Sequence, residues 1–327
     1  MRETAAQARL AMRRVALIYN PASGQYSARR ATVIHDALAM LRSAGVEAEA
    51  LETDAPGSAG ARAEEAMQSG CDTILACGGD GTVHEILQRL VGTQVALGVV
   101  PMGTANALAQ DLGLGRSPLK AVRSLLAAAP TQVPVGRIHY RDSVGVACSR
   151  YFTVAAGIGA DALLMSRLDA GLKRRIGYVL YLIEAFRVWA TSSFPLFRAE
   201  FTESPGAAPR VEHVSQILAV RVRSFGGALG RLAPGAALSK GTLRLLAFKT
   251  RSRFRYLSFL MAVLAGRHTF RKHVELLEAV SVQCSPLNGS SVPIFVEADG
   301  EVLGAMPVII EVAPQKLTLL VPPNFRP

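Results

Sequence analysis

The chain is poor in the residues that build covalent or metal-stapled frameworks. Among its 327 residues there are four cysteines, Cys71, Cys77, Cys148 and Cys284, and none stands in a CxxC pair. That argues against a disulfide framework or a structural zinc site and favours a reducing compartment. The six histidines are scattered and none falls in an HExxH frame; His268 and His273, beside basic residues, read as a solvated helix face. No apolar run is long enough to span a bilayer, since 177–182 and 256–265 are short or broken by charge. The opening MRETAAQARLAMRR is basic without an apolar core, and reads as a cytosolic tail rather than a signal peptide. GxGxxG and GxxxxGK[ST] are both missing, which disfavours a dinucleotide dehydrogenase and a P-loop ATPase.

What is present describes a folded chain. Half of the residues are hydrophobic and 19% are charged, and the length suggests two domains. The net charge of +11 is uneven: residues 1–133 hold 12 Lys and Arg against 12 Asp and Glu, so 134–327, with 24 against 13, carry the whole excess. A basic half meets nucleic acid, an anionic membrane or a phosphorylated ligand. No nucleic-acid motif or interleaved aromatic platform accompanies the charge, so nucleic acid is not expected.

Over the first 130 residues, apolar runs at 14–19, 46–51, 73–77 and 95–100 alternate with helical spacing at 27–43, 58–68, 83–90 and 105–112. Strands without polar alternation, interleaved with helices, imply a parallel sheet covered on both faces. Beyond Pro130 the pattern changes. A strand at 152–155 and a helical region at 160–190 precede β-like runs at 197–202, 214–222, 243–248, 274–282, 293–297, 308–312 and 317–321, which suggest a β-sandwich. TESPGAAPR, 202–210, reads as a hairpin loop.

Three polar, glycine-bearing loops follow buried strands: YNPASG with Asn20, Ser23 and Gly24; GGDGTVHE, 78–85; and PMGTAN with Thr104 and Asn106. Each lies where an α/β sheet places ligands, beyond the carboxyl end of a strand, and two of them lead straight into a helix. Glycine lets the backbone approach a phosphate, and the helix N-terminus favours an anion. A single GGDG is as readily a structural turn. Three such loops point to one phosphate site.

NPASG, GGDGTVHE, PMGTAN, AAGIGADA (155–162) and ADGE (298–301), in that order, resemble the diacylglycerol kinase catalytic domain shared by bacterial lipid kinases, sphingosine kinases and ceramide kinases. The resemblance implies an N-terminal three-layer α/β nucleotide-binding domain, 1–133, of the NAD kinase/diacylglycerol kinase type. A C-terminal β-sandwich domain, 134–314, would receive the lipid, and the strand at about 315–327 would return to the first domain. It further implies ATP and Mg²⁺ as cofactors. Gly78, Gly79, Asp80, Gly81, Thr82, Val83, His84, Glu85, Gly103, Thr104 and Asn106 would hold the nucleotide, with Asn20 and Thr53 contributing from neighbouring strand ends. Asp299 matches the base that takes the proton from the lipid hydroxyl, and Glu301 supports it. Asp80 is the alternative base, or the carboxylate that binds Mg²⁺. Without the family, ADGE is an ordinary hairpin turn.

The chain departs from the bacterial diacylglycerol kinase pattern at Ala107, at Gln25 where a cation is frequent, and at VPVGRI (133–138), which lacks an acidic residue before its glycine. APGAALSKGTL (233–243) resembles a loop that is usually Asp-rich and holds a structural metal. Gly235, Ser239 and Lys240 stand in it here, so no metal is expected, with Lys240 partly replacing the cation. The segments 163–189 and 251–273 mix large apolar residues with Arg167, Lys173, Arg174, Arg175, Arg251, Arg253, Arg255, Arg267, Arg271 and Lys272. Such a mixture marks interfacial binding to anionic lipid. The expectation is a cytoplasmic, peripherally membrane-associated lipid kinase, with a homodimer left open. An NAD kinase-like enzyme is disfavoured because none of Asn20, Asn106, Asn288 and Asn324 precedes Glu. A non-catalytic binding relative is the third reading, favoured by Gln25, Ala107 and Lys240.

Overall fold

The computed structural model describes residues 12–21, 30–55, 57–160, 162–163, 187, 189–191, 193–225, 232–264, 273–287 and 293–325. Ser23, Gly24, Gln25, Asp161, most of the helical region at 160–190 and the basic residues at 267–272 lie outside them.

Four short strands, β1 (Arg14–Tyr19), β2 (Glu47–Glu52), β3 (Thr73–Gly78) and β4 (Ala96–Pro101), pair in parallel in the order β2-β1-β3-β4. All six residues of β3 and of β4 are buried, as their unbroken apolar sequences require of strands covered on both faces. Helices α1 (Arg30–Ser43) and α5 (Pro118–Leu126) pack together, and α2 (Ser58–Gln68) packs against α3 (Asp80–Leu90). α3 turns Val83, Ile86, Leu87 and Leu90 inward at i, i+3, i+4 and i+7. Each fully buried aliphatic side chain of this kind stabilises the fold by about 1.5–3 kcal/mol. The helix α4 (Ala107–Asp111) is a single turn after β4. α5 is not among the expected helices, although Pro118 at its first position and Ala121, Val122 and Leu125 carry the signal.

The second domain is antiparallel. Its strands are β5 (Ala129–Arg141), β6 (Ala147–Phe152), β7 (Ala155–Ile158), β8 (Phe197–Thr202), β9 (Arg210–Val214), β10 (Gln216–Val220), β11 (Leu243–Phe248), β12 (Val274–Ala279), β13 (Ser281–Pro286), β14 (Phe295–Ala298) and β15 (Glu301–Val321). The helix α6 (Arg253–Leu264) lies between β11 and β12. Phe152, Phe197, Phe201, Leu243, Leu245 and Ile310 lie in its own apolar core, separate from that of the first domain.

β5 and β15 join the two domains. β15 pairs antiparallel with β5 from Ala305 to Val321, while its Leu319 pairs in parallel with Leu97 of β4. The 133/134 boundary therefore falls inside β5. Two expected strands, 308–312 and 317–321, are parts of β15, and its register shifts between Ala305 and Ile309 and between Val312 and Lys316. Those intervals contain Pro307 and Pro314, which lack the N–H a ladder needs. The strand expected at 152–155 is broken at Thr153–Val154, between β6 and β7.

Candidate active site

The order β2-β1-β3-β4 reverses direction between β1 and β3, and the crevice beyond their carboxyl ends is where such sheets bind ligands. Asn20 follows β1 there, and Gly78 ends β3. Thr53 is buried at the end of β2, its N–H donating to the carbonyl of Tyr19 at 2.9 Å.

The GGDG and MGTAN loops form one cradle. A Cβ on Gly103 would lie 2.4 Å from the Cα of Gly79, so two glycine backbones pack face to face. The N–H of Met102 donates to the carbonyl of Gly78 at 2.9 Å. Asp80, the first residue of α3, accepts the N–H of Asn106 on Oδ2 at 2.9 Å and that of Ala107 on Oδ1 at 2.7 Å. Its carboxylate thus caps α4 and holds the second loop against the first. The Asn106 side chain closes its own loop, accepting from the Gly103 N–H at 2.9 Å and donating to the Gly103 carbonyl at 2.8 Å. Its positive φ of 49° is one that Asn tolerates. Thr104 is exposed on the rim, and the side chain of Thr82 covers Gly78.

Two residues of the GGDGTVHE stretch point away from the cradle. Glu85 accepts the N–H of Gly57 at 3.0 Å and of Ala59 at 2.9 Å, capping α2. Val83 is buried in the core. Cys77 is buried too, and desolvation pushes its thiol up, so no thiolate is poised beside the glycines.

The second domain brings the 299–301 hairpin to the same place. Glu301 is exposed, and its Oε1 lies 3.4 Å from where a Cβ on Gly81 would stand. The side chain of Asp299 is buried, 3% exposed. Its Oδ1 accepts the N–H groups of Val154 at 2.9 Å and Ala155 at 3.0 Å, and its Oδ2 accepts that of Thr153 at 3.0 Å. The break between β6 and β7 is thus a cradle of amides around one carboxylate. His84 of α3 faces the same carboxylate, its Nδ1 3.5 Å from Oδ2. One helical turn later, Gln88 clamps Tyr151 of β6, donating to its carbonyl at 2.9 Å and accepting its N–H at 2.9 Å. α3 is therefore bound to the second domain along one face.

The two halves match two known domains in sequence. Residues 14–138 match the diacylglycerol kinase catalytic domain, and residues 153–321 match the YegS C-terminal NAD kinase beta sandwich-like domain. The chain belongs to the diacylglycerol kinase family. A diacylglycerol kinase of Mycobacterium tuberculosis (strain ATCC 25618 / H37Rv) is 29% identical over 313 residues, covering 94% of this chain and 95% of that one. A diacylglycerol kinase of Bacillus subtilis (strain 168) is 26% identical over 299 residues, covering 90% and 92%. The fold agrees with a crystal structure from Bacillus anthracis str. Sterne of a protein assigned to the diacylglycerol kinases. Its TM-score is 0.75 at 21% identity, over 99% of this chain and 100% of that one. Membership of this family makes the chain a kinase that transfers phosphate to an alcohol acceptor.

Three features of the family site escape the sequence motifs. The amides of Thr153–Ala155 and the clamp of Gln88 depend on contacts across 63 to 146 positions of chain. Arg30, at the start of α1, is buried and donates through Nη1 to the carbonyl of Asn20, while its Nε and Nη2 have no hydrogen-bond partner among the described residues. Desolvation lowers its pKa. For Mg²⁺ the donor set is sparse: among the described residues no three His, Cys, Asp or Glu side chains gather as a metal cluster. That composition fits an ion held mainly by nucleotide phosphates, with one carboxylate such as Asp80, rather than one caged by protein.

Proposed function

We propose that the protein transfers the γ-phosphoryl group of ATP to a hydroxyl of diacylglycerol or a related lipid, sphingoid bases and ceramide included. The observation that carries this reading is the meeting of Glu301, from the second domain, with the N-terminus of α3 at Gly81. It sets a carboxylate from the acceptor side beside a turn suited to phosphate. The N–H groups of the first turn of α3 and the Gly79–Gly103 backbone receive the phosphates, and Thr104 and Asn20 border the nucleotide. Asp80 keeps the two loops together. Mg²⁺, when bound with the nucleotide, supplies charge neutralisation between the phosphates.

The base role suits Glu301 better than Asp299 or Asp80. A base needs a lone pair directed at the acceptor hydroxyl. Asp299 is buried under three amides, and Asp80 bonds two, whereas Glu301 is exposed at the crevice. Asp299 then acts by fixing the hairpin that presents Glu301.

Access to a bilayer suits α6. Phe254, Leu257 and Met261 are 70%, 36% and 57% exposed and fall at i, i+3 and i+7. The opposite face is anchored by Tyr256, stacked on Phe248 at 4.7 Å, and by Phe259. Arg251, Arg253 and Arg255 are exposed beside the apolar stripe, and Trp189 packs edge-on against Phe254 at 6.1 Å. Apolar residues flanked by arginine favour the surface of an anionic bilayer, reached from the cytoplasmic side where ATP is found. Among the described residues no helix is long and apolar enough to cross a membrane.

The test is incubation of purified protein with Mg²⁺, γ-labelled ATP and diacylglycerol, monoacylglycerol, ceramide, sphingosine or NAD. Label in a lipid phosphate is expected. Label only in NADP, or ATP binding without transfer to any acceptor, overturns the reading.

A further inference from the structure

In the connection from β10 to β11, residues 232–242 have the chemistry of a cation site without the carboxylates for one. The carbonyl oxygens of Leu238, Lys240 and Thr242 turn inward together and are joined by that of Pro134 from β5. At their centre lies Arg221, the residue after β10, which is 0% exposed. Its Nη1 donates to Lys240 and Thr242, both at 2.9 Å, and its Nη2 donates to Pro134 at 2.8 Å and Leu238 at 3.0 Å. Among the described residues, no carboxylate pairs with it. Burial lowers its pKa to about 10, which leaves it charged at neutral pH.

Lys240 does not fill the place expected of it. Its Nζ turns to Glu278 of β12 at 2.7 Å, and Arg244 approaches the same carboxylate at 3.4 Å. Glu278 is therefore already matched by two cations. A structural divalent ion does not fit here: it would need the carbonyls that Arg221 holds and would stand beside a full positive charge with no carboxylate to offset it.

We propose that Arg221 is the resident cation of this loop, its guanidinium gathering the carbonyls in place of a structural metal ion. The second domain of this chain accordingly folds and stays folded without a divalent cation. The planar fork of arginine suits the role, since it carries up to five N–H donors and remains charged. Lysine, with three donors on one nitrogen, cannot span four acceptors on two sides.

Thermal unfolding of the nucleotide-free full chain tests this, after dialysis against EDTA, with and without added Mg²⁺ or Ca²⁺. The midpoint is expected to be the same in all three conditions, and metal analysis of the dialysed protein to find no stoichiometric ion. Arg221→Gln and Arg221→Lys are expected to lower the midpoint by about 5 °C or more, again without response to metal. A wild-type midpoint that rises with either ion, a tightly held divalent ion, or an Arg221→Gln midpoint equal to wild type overturns the proposal. Should Arg221→Gln fail to fold, the wild-type arms decide alone. None of these readouts depends on which acceptor the protein phosphorylates.

Discussion

Asp299→Asn separates a carboxylate that organises the site from one that performs proton transfer. In the wild type, Oδ1 takes two N–H groups and Oδ2 takes one, at 2.9–3.0 Å, with 3% of the side chain exposed. An asparagine keeps one acceptor oxygen. Its best orientation leaves the oxygen on Val154 and Ala155 and turns its NH₂ toward the N–H of Thr153. One buried donor without an acceptor costs about 1–3 kcal/mol, and two bonds that lose charge assistance cost about 0.5–1 kcal/mol each. The sum is about 3 kcal/mol, or about 6–12 °C in the unfolding midpoint of a domain of this size. Calorimetry and phosphoryl-transfer kinetics on the same preparation form the assay. The expected result is a lower midpoint together with lost activity. An unchanged midpoint with abolished transfer would refute the reasoning and return Asp299 to the role of base.

Other perturbations act on separate parts of the molecule. Gly103→Ala drives a methyl group into the Gly79 backbone and is expected to weaken nucleotide binding at least tenfold by calorimetry while the rest of the sheet persists. In the second domain, Arg210 and Lys249 bridge Glu212 and Glu275, and the hydrogen bond from Arg210, the largest influence, holds the Glu275 carboxyl below its usual range. A depressed carboxylate contributes stability above its unfolded pKa and loses it as pH falls through the folded value. The stability gap between wild type and Glu275→Gln is therefore expected at pH 7 and should close below about pH 4, as followed by denaturant titration. Phe254→Ser with Met261→Ser is expected to reduce sedimentation with anionic vesicles while leaving ATP affinity unchanged. Equal sedimentation would remove α6 from the membrane face.

Local pattern made much of this protein legible. Uninterrupted apolar runs and 3.6-residue spacing located β1 to β4 and α2 within a residue or two, because both faces of that sheet are covered. Glycine-rich loops at strand ends marked the crevice. What stayed hidden is tertiary. GGDGTVHE reads as eight candidate ligands, yet Glu85 caps α2, Val83 fills the core and Asp80 caps α4. A carboxylate beside a phosphate loop looks the same in sequence whether it faces a ligand or a backbone amide. The length of β15 was masked by Pro307 and Pro314, which interrupt the ladder that the flanking residues continue. Arg221 carries no local signal, since its partners are carbonyls, which every residue has.

In the proposed reaction centre the glycine cradle meets the 299–301 hairpin, and Glu301 receives the acceptor proton. Transfer from ATP to diacylglycerol in mixed micelles, measured with wild type and Glu301→Gln, tests it most directly. The variant is expected to keep its unfolding midpoint and its ATP affinity while kcat falls by about 10²-fold or more. Wild-type kcat in Glu301→Gln, with diacylglycerol phosphorylated normally, would contradict it.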